Sequence, residues 1–187
     1  MLKKIVMPKK IESEHITLVK RESKHSEGLY EVIDHNRDNL MEFLPWVKET
    51  NSVKDIKENS SVREKNWSDG KSFCYLIIEN KTDKIIGSID VISIDYKYHI
   101  AELGYWLDYA ARGKGHMAEA VKLIEEKLFS EKIHRIEIRC EAVNVRSCRV
   151  ADRAGYNLEG TMKDAKYRDD DYFDVNIYSK IDMKYKS

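Results

Sequence analysis

Proline is scarce in this chain of 187 residues; only Pro8 and Pro45 occur. No Pro/Gly-rich linker divides it, and it shows no internal repeat or low-complexity run. One continuous domain over 1–187 is therefore expected, with residues 1–13 as an N-terminal arm. That length can bury a core without disulfides or metals. Cysteine is nearly as rare. Cys74, Cys140 and Cys148 form an odd set with no CxxC pair and no His/Cys cluster at zinc spacing. This argues against a disulfide framework and a zinc module, and predicts buried thiols in a reducing cytoplasm, with no metal. Net charge is missing too, since 33 Lys and Arg balance 33 Asp and Glu. A nucleic-acid binder shows a basic surplus, and Lys3, Lys4, Lys9 and Lys10 are only a short basic stretch. Nucleic acid is not an expected partner. Long apolar runs are also lacking. The start, Met1 to Pro8, is basic, but its apolar part is too short for a signal peptide, and no run could span a membrane.

Periodicity supplies the elements. Ile16 to Lys20 reads as a strand, and Leu29, Val32, Ile33 and Leu40 recur at helical spacing. Pro45 makes Leu40 to Trp46 a turn. Ser52 caps a second helix carrying Val53, Ile56 and Val62, which ends near Gly70. Phe73–Glu79, Ile85–Ile94 and Ile100–Leu107 read as an antiparallel meander. A helix from about Met117 to Ser130 follows, with Ala118, Val121, Ile124 and Leu128 inward and Glu119, Lys122, Glu125 and Glu126 outward. Arg135–Ala142 is a strand. Asn144 caps a short helix stopped by Gly155. Phe173 to Met183 alternates as a last strand. The fold class is mixed α/β, a mostly antiparallel sheet with one parallel crossover.

The chemistry sits in Arg112-Gly113-Lys114-Gly115-His116-Met117-Ala118. Glycines let backbone approach a ligand, and the first N–H groups of the following helix favour an anion. Arg112, Lys114 and His116 add positive charge. Together they describe a diphosphate cradle, although a lone G-x-G before a helix is often only a turn. The P-loop pattern is absent. Gly113 to Ala118 matches the dinucleotide fingerprint, but Asp108 to Arg112 separate it from its strand and only one crossover is evident, so a nicotinamide cofactor is the weaker reading.

Glu102-Leu103-Gly104-Tyr105-Trp106-Leu107, the Arg112–Gly115 loop, and Asn144-x-x-Ser147 with Gly155-Tyr156 resemble the GNAT N-acetyltransferases. More narrowly, they resemble the RimJ/RimL-type ribosomal-protein N-terminal enzymes. Leu40-x-x-Phe43-Leu44-Pro45-Trp46, Leu158-Glu159-Gly160 and Tyr172 to Tyr178 are similar to the same branch, and the likeness runs over about residues 14–185. It implies the GNAT fold: a twisted sheet with helices on both faces, in which the strands at 100–107 and 135–142 splay apart. Acetyl-CoA would enter that gap and pair with the backbone of Tyr105, Trp106 and Leu107, an N–H there serving as oxyanion donor. Its diphosphate would rest on Arg112, Gly113, Lys114, Gly115, His116, Met117 and Ala118. Asn144 would contact the cofactor or simply cap its helix. Ser147 would protonate the departing thiolate, or be an ordinary first-turn serine. Trp46, Asp90 and Tyr167 would line the acceptor groove, and Phe43 and Tyr75 belong in the core. The family also implies a homodimer through exposed sheet edges or the C-terminal strand.

Several RimL-like members carry a glutamate base at the place of Lys166. Glu102 is the next candidate, its bland alternative being an ion pair on an exposed strand; Glu159 and the Asp169–Asp171 run are weaker. Deprotonating an α-amine of pKa about 7.8 at neutral pH costs about 1 kcal/mol, against roughly 4.6 kcal/mol for a lysine. A weak base therefore favours an α-amine, such as a protein N-terminus, as acceptor. A polyamine or amine-bearing antibiotic, or a CoA-binding module without catalysis, is the alternative.

Overall fold

The computed structural model describes residues 3–185. In chain order the elements are β1 (Lys10–Glu12), β2 (Ile16–Lys20), α1 (Ser26–His35), α2 (Arg37–Met41), α3 (Val53–Ser68), β3 (Phe73–Glu79), β4 (Lys84–Asp95) and β5 (Ile100–Leu107). They continue with α4 (His116–Ser130), β6 (Arg135–Glu141), α5 (Val145–Arg153), β7 (Asn157–Arg168) and β8 (Asp171–Ile181). The strands form one eight-stranded sheet in the order β1-β2-β3-β4-β5-β6-β8-β7. Every neighbouring pair is antiparallel except β5 and β6. The expected mixed α/β architecture with a single parallel crossover is what these residues build. No helix among the described residues is long and apolar enough to cross a membrane.

Both faces of the central strands are buried, so the sheet carries two cores. Phe73, Tyr75 and Ile77 pack with Met117, Val121, Ile124 and Ala151 of α4 and α5. Leu76, between them in sequence, points the other way into Leu29, Ile33, Leu40, Val47 and Ile56 of the α1–α3 side. Alternation along one strand thus assigns each group of helices its face. At Gly87 a Cβ would sit 2.3 Å from the Trp106 carbonyl oxygen. Only glycine lets β4 lie this close to the β5 segment that borders the site.

Ser52 caps α3 as expected: its side chain accepts from the Asp55 N–H at 3.3 Å and donates to the Asp55 carboxylate at 2.9 Å. Ser52→Ala is expected to lower stability by about 1 kcal/mol in urea unfolding, the usual worth of such a cap.

Several expectations are corrected. Residues expected in a terminal arm pack instead: Ile5 and Met7 are buried, β1 pairs with β2, and the Tyr75 hydroxyl donates to the Pro8 carbonyl at 2.6 Å. Val62 is exposed, because the apolar stripe of α3 is carried by Ile56 and, beyond the helix middle, Trp67. Glu125 is buried rather than outward, paired with Lys180 at 2.9 Å. The segment at Leu40–Trp46 is not a single turn but the end of α2 followed by a 3-10 turn, Pro45–Glu49. The last strand ends at Ile181, and Met183 lies in a closing turn, exposed. β8 is interior, between β6 and β7, so the sheet edges are β1 and β7 and the C-terminal strand offers no free edge for pairing.

Candidate active site

β5 and β6 pair over only four residues, from Ile100↔Arg135 to Leu103↔Ile138. Beyond that point each stays with its other neighbour. Gly104–Leu107 remain paired to β4 and Arg139–Glu141 to β8. The two strands therefore part, and alternate N–H and C=O groups of Gly104–Leu107 face the gap unpaired by strand. This is an edge able to accept one further extended chain.

The gap opens toward the start of α4. Gly113 and Gly115 adopt left-handed φ of 78° and 88°, and neither would bring a Cβ within 4 Å of any other atom. Glycine here serves backbone shape and open space, not close packing. The first helical bond of α4 is donated by the Glu119 N–H to the Gly115 carbonyl at 3.1 Å. The N–H groups of His116, Met117 and Ala118 precede it and have no intrahelical acceptor, the situation that suits a phosphate. Arg112 lies half-buried over the Tyr109 ring at 4.9 Å, with Nη1 buried and unpartnered. Lys114 and His116 both reach the Glu79 carboxylate at 3.3 Å. Hydrogen bonds from Thr82 first, then Lys114 and His116, hold that carboxyl below its ordinary pKa. His116 is buried, its ring turned to Glu79, so its backbone rather than its side chain faces the cradle.

Ser147 is fixed through three of its atoms. Its N–H donates to Asn144 Oδ1 at 3.1 Å, its carbonyl accepts from the Tyr105 hydroxyl at 3.1 Å, and its own hydroxyl donates to Tyr105 Oη at 3.4 Å. Asn144 thus fills the cap role. The Tyr105 ring comes from β5 and Ser147 from α5, so the contact crosses the gap between the parted strands. Burial first pushes the Tyr105 phenol pKa up. Beneath Ser147, Cys140 and Cys148 bring their sulfurs to 3.4 Å. Burial first raises the Cys140 thiol to about 12.

Side-chain alternation separates two working faces. Ala101, Leu103 and Tyr105 point to the α4–α5 side, and Glu102 and Trp106 to the α1–α3 side. Glu102 is half-buried, with Arg139 4.0 Å away. Its carboxyl pKa is raised, by burial first and by neighbouring Glu137, against the opposing pull of Arg139. Arg139 is committed elsewhere, to Glu137 at 2.8 Å. Of the carboxylates nearby, Glu102 alone is shifted toward the basic range: Glu137, Glu141 and Glu159 are all held down by cations or hydroxyls.

Asp90 lies on the same face, opposite Gly104, but is occupied by Arg63 at 2.9 Å and Ser88 at 2.8 Å. Trp46 sits exposed in the 3-10 turn after Pro45. Tyr167 does not join it. Lys166 and Arg168 both reach Glu141, so the residue between them points away, and its ring packs on Tyr172 at 5.0 Å. Sequence reading missed the Glu141 cluster. Glu141, at the end of β6, is 1% exposed and pairs with Lys166 at 2.6 Å and Arg168 at 2.8 Å. Lys166 also donates to the Phe43 carbonyl at 3.3 Å, and Arg168 lies over the Phe43 and Phe173 rings. Lys48 pairs with Asp169. These contacts join the β7–β8 hairpin to the loop carrying Trp46.

Known proteins share this fold. The ribosomal-protein-serine acetyltransferase of Escherichia coli (strain K12) is 32% identical over 170 residues, covering 90% of this chain and 94% of that protein. The microcin C7 self-immunity acetyltransferase MccE, solved with acetyl-CoA and AMP, superposes with a TM-score of 0.89 at 28% identity, over 94% of this chain and 98% of its own. The RimL ribosomal-protein alpha-N-acetyltransferase in complex with coenzyme A gives 0.85 at 27% identity, over 90% and 95%. Residues 15–157 match the acetyltransferase (GNAT) domain model, and with a parted β5–β6 pair ahead of a glycine-rich helix start, the chain belongs to the GNAT acetyltransferase family.

Proposed function

We propose that this protein transfers an acetyl group from acetyl-CoA to the α-amine of a protein N-terminus, a ribosomal protein being the first candidate. The observation that carries the reading is the β5–β6 gap, with a raised-pKa carboxylate on one sheet face and an anchored serine reached from the other. When bound, acetyl-CoA supplies the thioester whose acyl group passes to nitrogen. The gap edge at Tyr105–Leu107 fits its pantetheine, and Gly113 to Ala118 with Arg112 fit its diphosphate. Lys114 leaves Glu79 to meet that charge. The three free, buried thiols suit a reducing compartment such as the cytoplasm.

Amide formation moves one proton off nitrogen and one onto sulfur. Glu102, directly or through water, receives the first on the α1–α3 face, where Trp46 borders the amine's approach. Ser147 delivers the second on the α4–α5 face. A serine alkoxide is too basic to persist, so Ser147 gives its proton to the thiolate only as it takes one from solvent water, and the proton that Glu102 receives from the amine returns to solvent and closes the balance. Nitrogen and sulfur share the acyl carbon in the tetrahedral intermediate, and the two groups that handle their protons flank it from the two faces of the gap. A small amine as acceptor is the second reading; among the solved structures with this fold is a microcin C7 self-immunity acetyltransferase.

Calorimetry and turnover test both. Acetyl-CoA should bind the wild type, and Gly113→Ala with Gly115→Ala should weaken binding by about tenfold or more, because alanine is strained at these φ values. Peptides with a free α-amine should be acetylated, and N-blocked peptides offering only lysine should not. No acetyl-CoA binding, or equal turnover on lysine, would sink the proposal.

A further inference from the structure

We infer that Tyr105 is a positioning residue for this reaction, its hydroxyl setting where the Ser147 hydroxyl points; this rests on the role proposed above for Ser147. The residue's backbone lies on the gap edge, but its side chain does something separate. It spans the gap at the level where β5 and β6 have already parted and meets the first turn of α5. There the phenol donates to the Ser147 carbonyl and accepts from the Ser147 hydroxyl.

Each of these bonds has a definite consequence. The bond to the carbonyl fixes the distance between β5 and α5, which no strand pairing now fixes. The bond from Oγ selects one rotamer of a serine whose small side chain would otherwise sample all three staggered wells. The phenol's proton is already committed to the Ser147 carbonyl, so its oxygen is left as an acceptor toward Oγ. In the free protein, the serine proton is parked on Tyr105 at 3.4 Å, a long bond that a better acceptor displaces. A departing thiolate is such an acceptor. Burial raises the phenol's pKa, so Tyr105 keeps its own proton throughout and orients without exchanging. Phenylalanine would fill the same volume and keep the ring's packing against the core on the α4–α5 side, while losing both bonds.

The test is a cycle of Tyr105→Phe, Ser147→Ala and the double variant, measured for kcat, for KM of each substrate and for acetyl-CoA affinity by calorimetry. Tyr105→Phe should lower kcat about five- to tenfold, the worth of one mislaid hydrogen bond, with acetyl-CoA affinity within about twofold of wild type. In the Ser147→Ala background, it should lower kcat no further, because the group it orients is gone. Retained affinity also reports that the variant is folded. If Ser147→Ala slows turnover and Tyr105→Phe does not, the positioning role is wrong and the serine role stands. Additive losses in the double variant, or a loss of acetyl-CoA affinity equal to the loss of kcat, would likewise make Tyr105 a structural residue only. If Ser147→Ala leaves kcat unchanged, the serine role itself fails, and the inference falls with it.

Discussion

Glu102→Gln should lower kcat/KM by about 100-fold or more, the ordinary contribution of a general base. It should also remove the acidic limb of the pH–rate profile. A base works only when ionised, so the wild-type rate falls as pH drops through the Glu102 pKa. Burial on the face bordered by α1–α3 and the nearby Glu137 raise that pKa above the ordinary 4.5. The limb should therefore lie above 4.5, and it is told apart from the limb of an α-amine acceptor, near 7.8, by its loss in Glu102→Gln. Glutamine is nearly isosteric, and Arg139 keeps its closer partner Glu137 at 2.8 Å, so stability should change little. A variant with wild-type rate and an unchanged acidic limb would transfer the base role away from Glu102. Asp90 is a poor heir, since Arg63 and Ser88 already hold its carboxylate.

The strands that carry the site were legible because each is a short, largely apolar run bounded by turns or loops; Ile100–Leu107 is found at the residues expected. The glycine loop and the Asn144 cap were legible for a related reason, since both act through local backbone shape. β7 was not anticipated. It is an edge strand, exposed at almost every position and interrupted by irregularities near Gly160 and between Met162 and Lys166, so no alternation survives in its sequence. The signal that could have revealed it is the two-residue hairpin turn Asp169-Asp170, both at positive φ, closing Arg168 against Asp171. The inward turn of Glu125 was hidden because its partner Lys180 lies on a strand 55 positions away. The parting of β5 and β6 was expected from the family resemblance alone, while the bond from Tyr105 to Ser147 and the cluster at Glu141 are contacts between elements remote in sequence. Periodicity within one element carries no record of them.

Glu141→Gln should be destabilising by about 2 kcal/mol in denaturant unfolding, because it takes from a buried cation the closer of its two anions and leaves only Asp169, half-exposed at 3.2 Å. Exposure decides the ranking. Arg168 is 11% exposed and pairs with Glu141 at 2.8 Å, so it cannot recover its hydration when the charge opposite is removed. Lys166 is 35% exposed and can turn outward; Lys166→Gln, which leaves the Glu141–Arg168 pair intact, should cost under about 1 kcal/mol. The pH dependence has a fixed sign. Burial alone would raise the Glu141 pKa, but bonds from Arg168 and Lys166 prevail and hold it below 4.5 in the folded protein. Its contribution is therefore complete above the unfolded-state pKa and is lost as pH falls through the lower folded value. The stability gap between wild type and Glu141→Gln should be constant near neutrality and shrink below about pH 4.5. A gap that persists undiminished in acid would mean that the side chain stabilises by packing and not by charge.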